Sequence, residues 1–479
     1  MFVVCGCVHT VNGDEMKELR ERLEEALAVD ASFDLVRRVL QAQDRAYFFY
    51  FIDGFVKDEI MEKMMEFLLE RSDADDPSMR QLEKRLFPYV EVELCADVDA
   101  CVHAVLSGVL ALWRQGDDTF VLIDARTYPT RSMSEPEDDR VLRGARDSFV
   151  ETLVFNTALI RRRLRDPRLR MEYFSVGKTK DDVVLCSIHG VCDPQLHDQL
   201  ADRLKQLQVE SLTMGQESLA EALIPRKLWQ IFPLVRYTER PDVASAHVQE
   251  GGIALIVDNS PSVMLLPAAL LDFVQEAQDY YFPPLIGSYL RFVRILVFFL
   301  AQFLTPVWYW LNQNPQWMPQ ALSFTLIEGS AYLDVFWQLL LLEIGIDAIK
   351  LASLNTPSSL SGSFSIIGAL ILGDFAIKAG WFDAEILLYM AFVALANFTQ
   401  PSYEMSYAIK LFRMCMLVLI ALFPRWGLLV SLVLLALVLK GQGKGYLAPL
   451  IPFRPKRLIR LLFRFSIRHS PKSGHHRNI

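Results

Sequence analysis

The stretch Asp279–Leu311, DYYFPPLIGSYLRFVRILVFFLAQFLTPVWYWL, divides the chain into two kinds of polymer. Up to Ile286 the sequence has the mixed charge and short apolar runs of a globular protein; from Gly287 onward the apolar runs become long. Residues 290–311 alone give 22 mostly apolar positions, enough for a helix to cross a hydrocarbon core of about 30 Å. Arg291 and Arg294 stand at the front of this run and Trp308, Tyr309 and Trp310 at its back, the basic and aromatic anchors expected at two interfaces. Pro306 is placed to kink it.

Charge follows the same division. Residues 286–479 hold 17 basic and 8 acidic side chains, a net of +9, and since the whole chain of 479 residues carries −8, residues 1–285 carry −17. An acidic half without a basic stripe interleaved with aromatics excludes nucleic acid as its partner. Seven cysteines at 5, 7, 95, 101, 186, 192 and 415 are odd in number and irregular in spacing, which reads as reduced thiols in a cytosolic compartment. The N-terminus has no basic n-region and no adequate apolar core for a secretory signal. Cys5, Cys7 and His9 lack a fourth ligand at a standard spacing, so packing is preferred to metal, and no cofactor is implied.

In the first half, AYFFYFI (46–52), VEVEL (90–94), TFVLID (119–124), DVVLCSI (182–188) and GGIALIVD (251–258) read as strands. Residues 15–28, 57–70, 97–113 and 194–207 repeat apolar side chains three and four apart and read as helices. The alternation predicts α/β units in two small subdomains, 1–135 and 136–285. A central helix follows SMSEPEDDRVLRGARDSF and runs through VETLVFNTALIRRRLRDP. It has an apolar side at Val150, Leu153, Val154, Ala158 and Leu164, and Pro167 ends it. Arg161, Arg162 and Arg163 crowd its C-terminal end, where cations complement the helix dipole; salt bridges to the acidic half or to a neighbouring subunit are favoured over an anion site. There is no GxSxG elbow, phosphate-binding glycine loop, HExxH or metal-spaced Cys/His pair, and the enzyme reading is set aside.

The second half, 286–440, carries further apolar runs at 330–349, 364–380, 384–400, 411–423 and 426–440. Six crossings fit; four crossings with two re-entrant segments compete, because 411–423 is short. The tail, 441–479, is basic and without acids, which puts it on the cytoplasmic side. The first half, read without a secretory signal, is expected on that side too, so the number of crossings is even, and Lys410 and Arg413 fall in a cytoplasmic loop. Its segment FRPKRLIRLLFRFSIRHSPK alternates basic and apolar residues as an amphipathic helix lying on anionic lipid would. Charges inside the runs, Asp334, Glu343, Asp347, Asp374 and Lys378, need partners or water. They are candidates for a pore lining or for buried pairs, and Asp374 and Lys378, one turn apart, can pair with each other. Ser361, Ser365, Ala369 and Gly373 recur every fourth residue, a ribbon of small side chains that lets another helix approach closely.

SEPEDDRVLRGARDSFVETLVFNTALIRRRLRDP, DYYFPPLIGSYLRFVRI, EIGIDAIKLASLNTPSSL and ANFTQPSYEMSYAIKLFR together resemble the A-subunit family of bacterial spore germinant receptors, and within it the stage V sporulation protein AF branch. The resemblance runs from about Ser32 to Phe453; the CGC start and the long basic tail lie outside it. It implies an integral protein of the spore inner membrane whose first half faces the spore core. It further implies a homo-oligomer, a pentamer by analogy, that conducts monovalent cations during germination together with other membrane subunits. Carried onto this chain, the motif helix at Arg143 to Arg165 would lie in the subunit-contacting domain, with Glu135, Arg143, Arg146 and Arg161 to Arg163 as contact residues. Segments 330–380 would supply the conduction path.

Overall fold

The computed structural model of the protein describes residues 13–42, 45–70, 79, 91–127, 139, 141, 143–224, 230–327, 331–354, 376–443, 445–448, 450, 451 and 453–464. The chain divides into two compact units, the first built from Met1–Pro225 and Tyr237–Pro267, the second from Arg226–Arg236 and Ala268–Pro471.

The first unit holds two five-stranded sheets. In one, β1 (Leu35–Ala42), β2 (Arg45–Ile52), β3 (Val92–Cys95), β4 (Leu110–Arg114) and β5 (Phe120–Ile123) lie in the order β1-β2-β4-β5-β3, each neighbour antiparallel. Helices α1 (Gly13–Leu27), α2 (Asp58–Leu69) and α3 (Val98–Leu106) cover it on both faces. Strand β2 shows why its sequence is apolar without alternation. Tyr50 and Ile52 pack with α1 and α3, whereas Tyr47 and Phe49 pack with α2, so neither face meets water.

The 97–113 segment, expected as one helix, is instead α3 followed by β4. Gly108 takes a φ of +94°, and a Cβ there would lie 2.7 Å from the Phe55 ring, so the chain turns at the one residue that fits. Strand β4 is buried at every position, which erased the period-two signal.

The second sheet contains β6 (Leu169–Val176), β7 (Asp181–Ile188), β8 (Arg236–Thr238), β9 (Ile253–Val257) and β10 (Val263–Leu266) in the order β6-β7-β9-β10-β8. The pairs β6–β7, β7–β9 and β9–β10 are antiparallel. The mixed α and β content read from the sequence is present, and these strand pairs are antiparallel. Helices α4 (Leu153–Arg163) and α7 (Pro241–Gln249) pack on one face, and α5 (Pro194–Gln206) and α6 (Gln216–Leu223) complete the unit.

The motif helix is shorter than Arg143 to Arg165: α4 begins at Leu153, and residues 145–152 are irregular. Asn156, fully buried, reaches back and holds that segment. Its Oδ1 accepts from the Val150 N–H at 2.8 Å and its Nδ2 donates to the Val150 carbonyl at 2.5 Å. Asp258, at the end of β9, caps the helix by accepting from the Leu153 N–H at 2.9 Å.

Arg161 ties the two sheets together. Its guanidinium grips Asp34, just before β1, with Nε to Oδ2 at 2.7 Å and Nη2 to Oδ1 at 2.9 Å, and it also donates to the Leu169 carbonyl at 3.3 Å. Ser32 donates to Asp34 at 2.6 Å and accepts from Arg161 and from the Met171 N–H, so the carboxylate and its surroundings are satisfied on both sides. Arg161 is 0% and Asp34 1% exposed. Cys186 lies in the same core, where burial pushes its thiol up to about 12, against the weaker pull of Arg161. The thiol stays protonated and offers no nucleophile.

The second unit is helical: α8 (Pro284–Gln313), α9 (Val335–Leu354), α10 (Ala384–Phe398), α11 (Tyr403–Leu422), α12 (Gly427–Gly441) and α13 (Pro455–Leu462), with single turns such as Gln278–Tyr281 and Ala376–Lys378 between them. Among the described residues, α8 and α11 are long and apolar enough to cross a membrane, and α10 and α12 are shorter apolar helices. The run 411–423 is the end of a 20-residue helix that takes in Lys410 and Arg413. These two residues are inside a helix and not in the loop expected from the sequence.

The expected anchors of α8 also turn inward. Arg291 and Arg294 are buried and share Asp279, at 3.2 and 2.8 Å, and Arg294 adds Glu276 at 2.5 Å. Trp308 and Tyr309 are buried in the helical core, Trp308 against Tyr389 with ring centroids 4.8 Å apart.

Two outcomes follow for the first unit. Replacing Asp34 by Ala strands the Arg161 charge without water, a loss of about 3–5 kcal/mol. It should lower the thermal midpoint of the full chain sharply, while the double replacement of Asp34 and Arg161 by Ala costs far less than the sum of the single changes. At Asp166 the bond from Arg168 holds the carboxyl below its ordinary value, so its contribution is present at neutral pH and is lost as pH falls through the depressed value. Asp166→Asn should therefore flatten the acid limb of a midpoint-against-pH curve and leave its alkaline limb unchanged.

Candidate functional site: a charged seam between two apolar helices

Helix α9 carries Glu343, Asp347 and Lys350 at spacings of four and three, which puts all three on one face. Helix α11 carries Arg413, Lys410, Tyr407 and Tyr403 at the same kind of spacing. The two faces meet in opposite chain directions. Arg413 forms a two-pronged bond to Glu343, Nε to Oε1 at 2.6 Å and Nη2 to Oε2 at 2.9 Å. Lys410 Nζ lies 3.4 Å from Glu343 Oε2 and 2.5 Å from Asp347 Oδ1, and donates to the Glu343 carbonyl at 2.7 Å. Lys350 then points at aromatic rings, 4.5 Å from the Tyr407 centroid and 5.1 Å from that of Tyr403.

The inner end of the seam reaches a third helix, because Arg413 Nη1 donates to the Ala301 carbonyl of α8. Beside it, Gln302 of α8 donates to the Met416 sulfur at 3.1 Å. The four charges, two acidic and two basic, sum to zero. Their exposure is graded: the side chains of Arg413 and Glu343 are 0% and 1% exposed, that of Lys410 6%, and that of Asp347 34%. A charge in an apolar helix costs a few kcal/mol unless met, so α9 cannot turn this face to hydrocarbon. The planar guanidinium fork is the group suited to a dry two-oxygen partner, and Lys410, a point charge, serves the two carboxylates together.

Other residues singled out from the sequence have different surroundings. Asp334 is exposed and caps α9, accepting from the Phe336 N–H at 2.9 Å. Lys378 is exposed in the turn Ala376–Lys378. Asp374, the small-residue positions Ser361, Ser365, Ala369 and Gly373, and Glu135, Cys5, Cys7 and His9 lie outside the described residues. Arg143, Arg146 and Arg162 are exposed, and Arg163 pairs with Asp147 at 2.6 Å. Among the described residues no group of His, Cys, Asp and Glu is arranged to hold a metal ion.

Sequence reasoning missed Lys410, Arg413 and Lys350 as members of this site. The signal was available in the balance of charge: two acids one turn apart in one apolar run, and two bases one turn apart in another. Glu343→Gln should leave the buried Arg413 without its carboxylate, while Asp347 stays with Lys410, costing about 3–5 kcal/mol. Asp347→Asn, at the wet end, should cost about 0–1 kcal/mol. Thermal midpoints and the monodisperse fraction of detergent-solubilised protein separate the two.

Residues 19–474 match the family described as Bacillus/Clostridium GerA spore germination protein. Stage V sporulation protein AF of Bacillus subtilis (strain 168) is 35% identical over 451 residues, which cover 93% of this chain and 91% of that protein. Spore germination protein A1 of the same organism is 26% identical over 478 residues, 97% of this chain and 98% of that protein. Of solved structures, the N-terminal domain of the A subunit of the Bacillus megaterium spore germinant receptor GerK3 aligns with 53% of this chain and 95% of its own, at 21% identity and a TM-score of 0.40. The family match takes in both sheets, the motif around α4 and the seam between α9 and α11, and the chain belongs to the GerA family of spore germination proteins.

Proposed function

We propose that this protein is a subunit of an oligomeric channel in the spore inner membrane that releases monovalent cations during germination. The observation that carries the reading is α9, a 20-residue helix with Glu343, Asp347 and Lys350 on one face amid apolar positions. Such a face needs protein or water along its length, and carboxylates repeated around an oligomer, as a pentamer would repeat them, favour cations over anions. The segment after α9 contributes Asp374 and the ribbon Ser361, Ser365, Ala369 and Gly373 as the wall of that path or as its packing face. The sheet-bearing half and the basic tail lie on the spore-core side in this reading. That half gates the path through contacts with other germination subunits, and the tail rests on anionic lipid. The membrane domain is 286–440, with four to six crossings, and the sheet-bearing half is the subdomains 1–135 and 136–285.

One observation favours a second reading. Glu343 and Asp347 are already paired with Arg413 and Lys410, which leaves a neutral seam with little attraction for a passing cation. A non-conducting subunit that assembles other germination proteins needs that seam only for rigidity. Liposomes loaded with a potassium-sensitive dye decide between the two. The channel reading expects flux through the wild type with its partner subunits, and a changed selectivity in Asp374→Asn. No flux with any partner or trigger, from protein that is folded and oligomeric, leaves the scaffold.

A further inference from the structure

Lys350 lies over three aromatic rings. Its ammonium lies 4.5 Å from the centroid of Tyr407, 5.1 Å from Tyr403 and 5.7 Å from Phe398, all within the distance at which a ring face attracts a cation. The rings come from two helices joined by a corner. Phe398 is the last residue of α10 and Tyr403 the first of α11, while Tyr407 stands one turn further on. The corner is held by its own bonds: Ser402 caps α11 by accepting from the Met405 N–H at 3.3 Å, and Ser406 donates to the Asn397 carbonyl at 3.2 Å.

We propose that Phe398, Tyr403 and Tyr407 form a site for an alkylammonium cation, and that Lys350, supplied by α9, is the ligand that fills it. Three observations support a site. The three faces converge on one point. The rest of the described chain leaves them uncovered, since Phe398, Tyr403 and Tyr407 are 61%, 53% and 37% exposed. The cation belongs to a different helix from the rings, so the cage is complete without it and would persist if the C-terminal turns of α9 moved away. The site then has two occupants in competition, the tethered primary ammonium and a free ammonium of similar size. Small, strongly hydrated ions such as sodium keep their water and are poor rivals for a ring face.

The test uses the full chain in detergent. Lys350→Met removes the charge and keeps most of the apolar stem. Its thermal midpoint should fall, and tetramethylammonium chloride should raise it by about 2–4 °C, while sodium chloride at the same concentration does not. The wild type should gain less, because its site is filled, and Lys350→Met combined with Tyr407→Leu should gain nothing. Equal responses to the two salts, or a gain that survives Tyr407→Leu, overturns the proposal. Should Lys350→Met fail to fold, the ring series in the otherwise native chain decides. Tyr407→Phe keeps the π face and should match the wild type, whereas Tyr407→Leu should lower the midpoint. Equal losses in both would mean that the hydroxyl, not the face, holds Lys350, and the cage is refuted.

Discussion

A guanidinium with no access to water sets the terms in each unit. Arg161 and Arg413 are both wholly buried, and each is answered by a carboxylate that is itself buried, Asp34 in one unit and Glu343 in the other. Desolvating such a pair yields little net stability, because what the ions lose in hydration nearly equals what they gain from each other. The consequence is geometrical. Once the chain has committed a dry arginine, the partner has only one place to be. For Arg161 that fixes the entry to β1 against α4 and β6; for Arg413 it fixes α9 against α11 and, through the Ala301 carbonyl, α8.

Much of the fold could be read in the sequence where a segment keeps one environment along its length. Strands β2, β5, β7 and β9 are rich in β-branched, aromatic or other apolar residues, and helices α2 and α5 have one wet side. The reading failed where a segment changes environment midway. Residues 97–113 pass from a helix to a buried strand at Gly108, and a continuous apolar pattern hides the change. Strand β1 was invisible because its middle carries Arg37 and Arg38 on an exposed edge. The motif around α4 was recognised as a unit, but its irregular start depends on Asn156 bonding to Val150, a contact that no period encodes.

The site was legible in part for a related reason. Glu343 and Asp347 stood out because acids in an apolar run are conspicuous, whereas Lys410 and Arg413 stand at the start of one, just after the mixed stretch PSYEMSY, and looked like a loop. In the same way Arg291 and Arg294 look like interfacial anchors until Glu276 and Asp279, only a dozen or so residues earlier, are brought against them. Position in the sequence tells how a charge could be hydrated. The partner that replaces the water comes from elsewhere in the fold.

The order of charges along the seam restricts how α9 can move. If it slid one helical turn, about 5.4 Å, toward the Arg413 end of α11, Lys350 would arrive opposite Lys410, two cations in a dry setting. A turn in the other direction leaves Arg413 facing the leucines before Glu343. Translation along the axis is therefore blocked both ways, as by a ratchet with teeth of opposite slope. The seam is least enclosed at its wet end, where the Asp347 side chain is 34% exposed, and most enclosed at the Glu343–Arg413 fork.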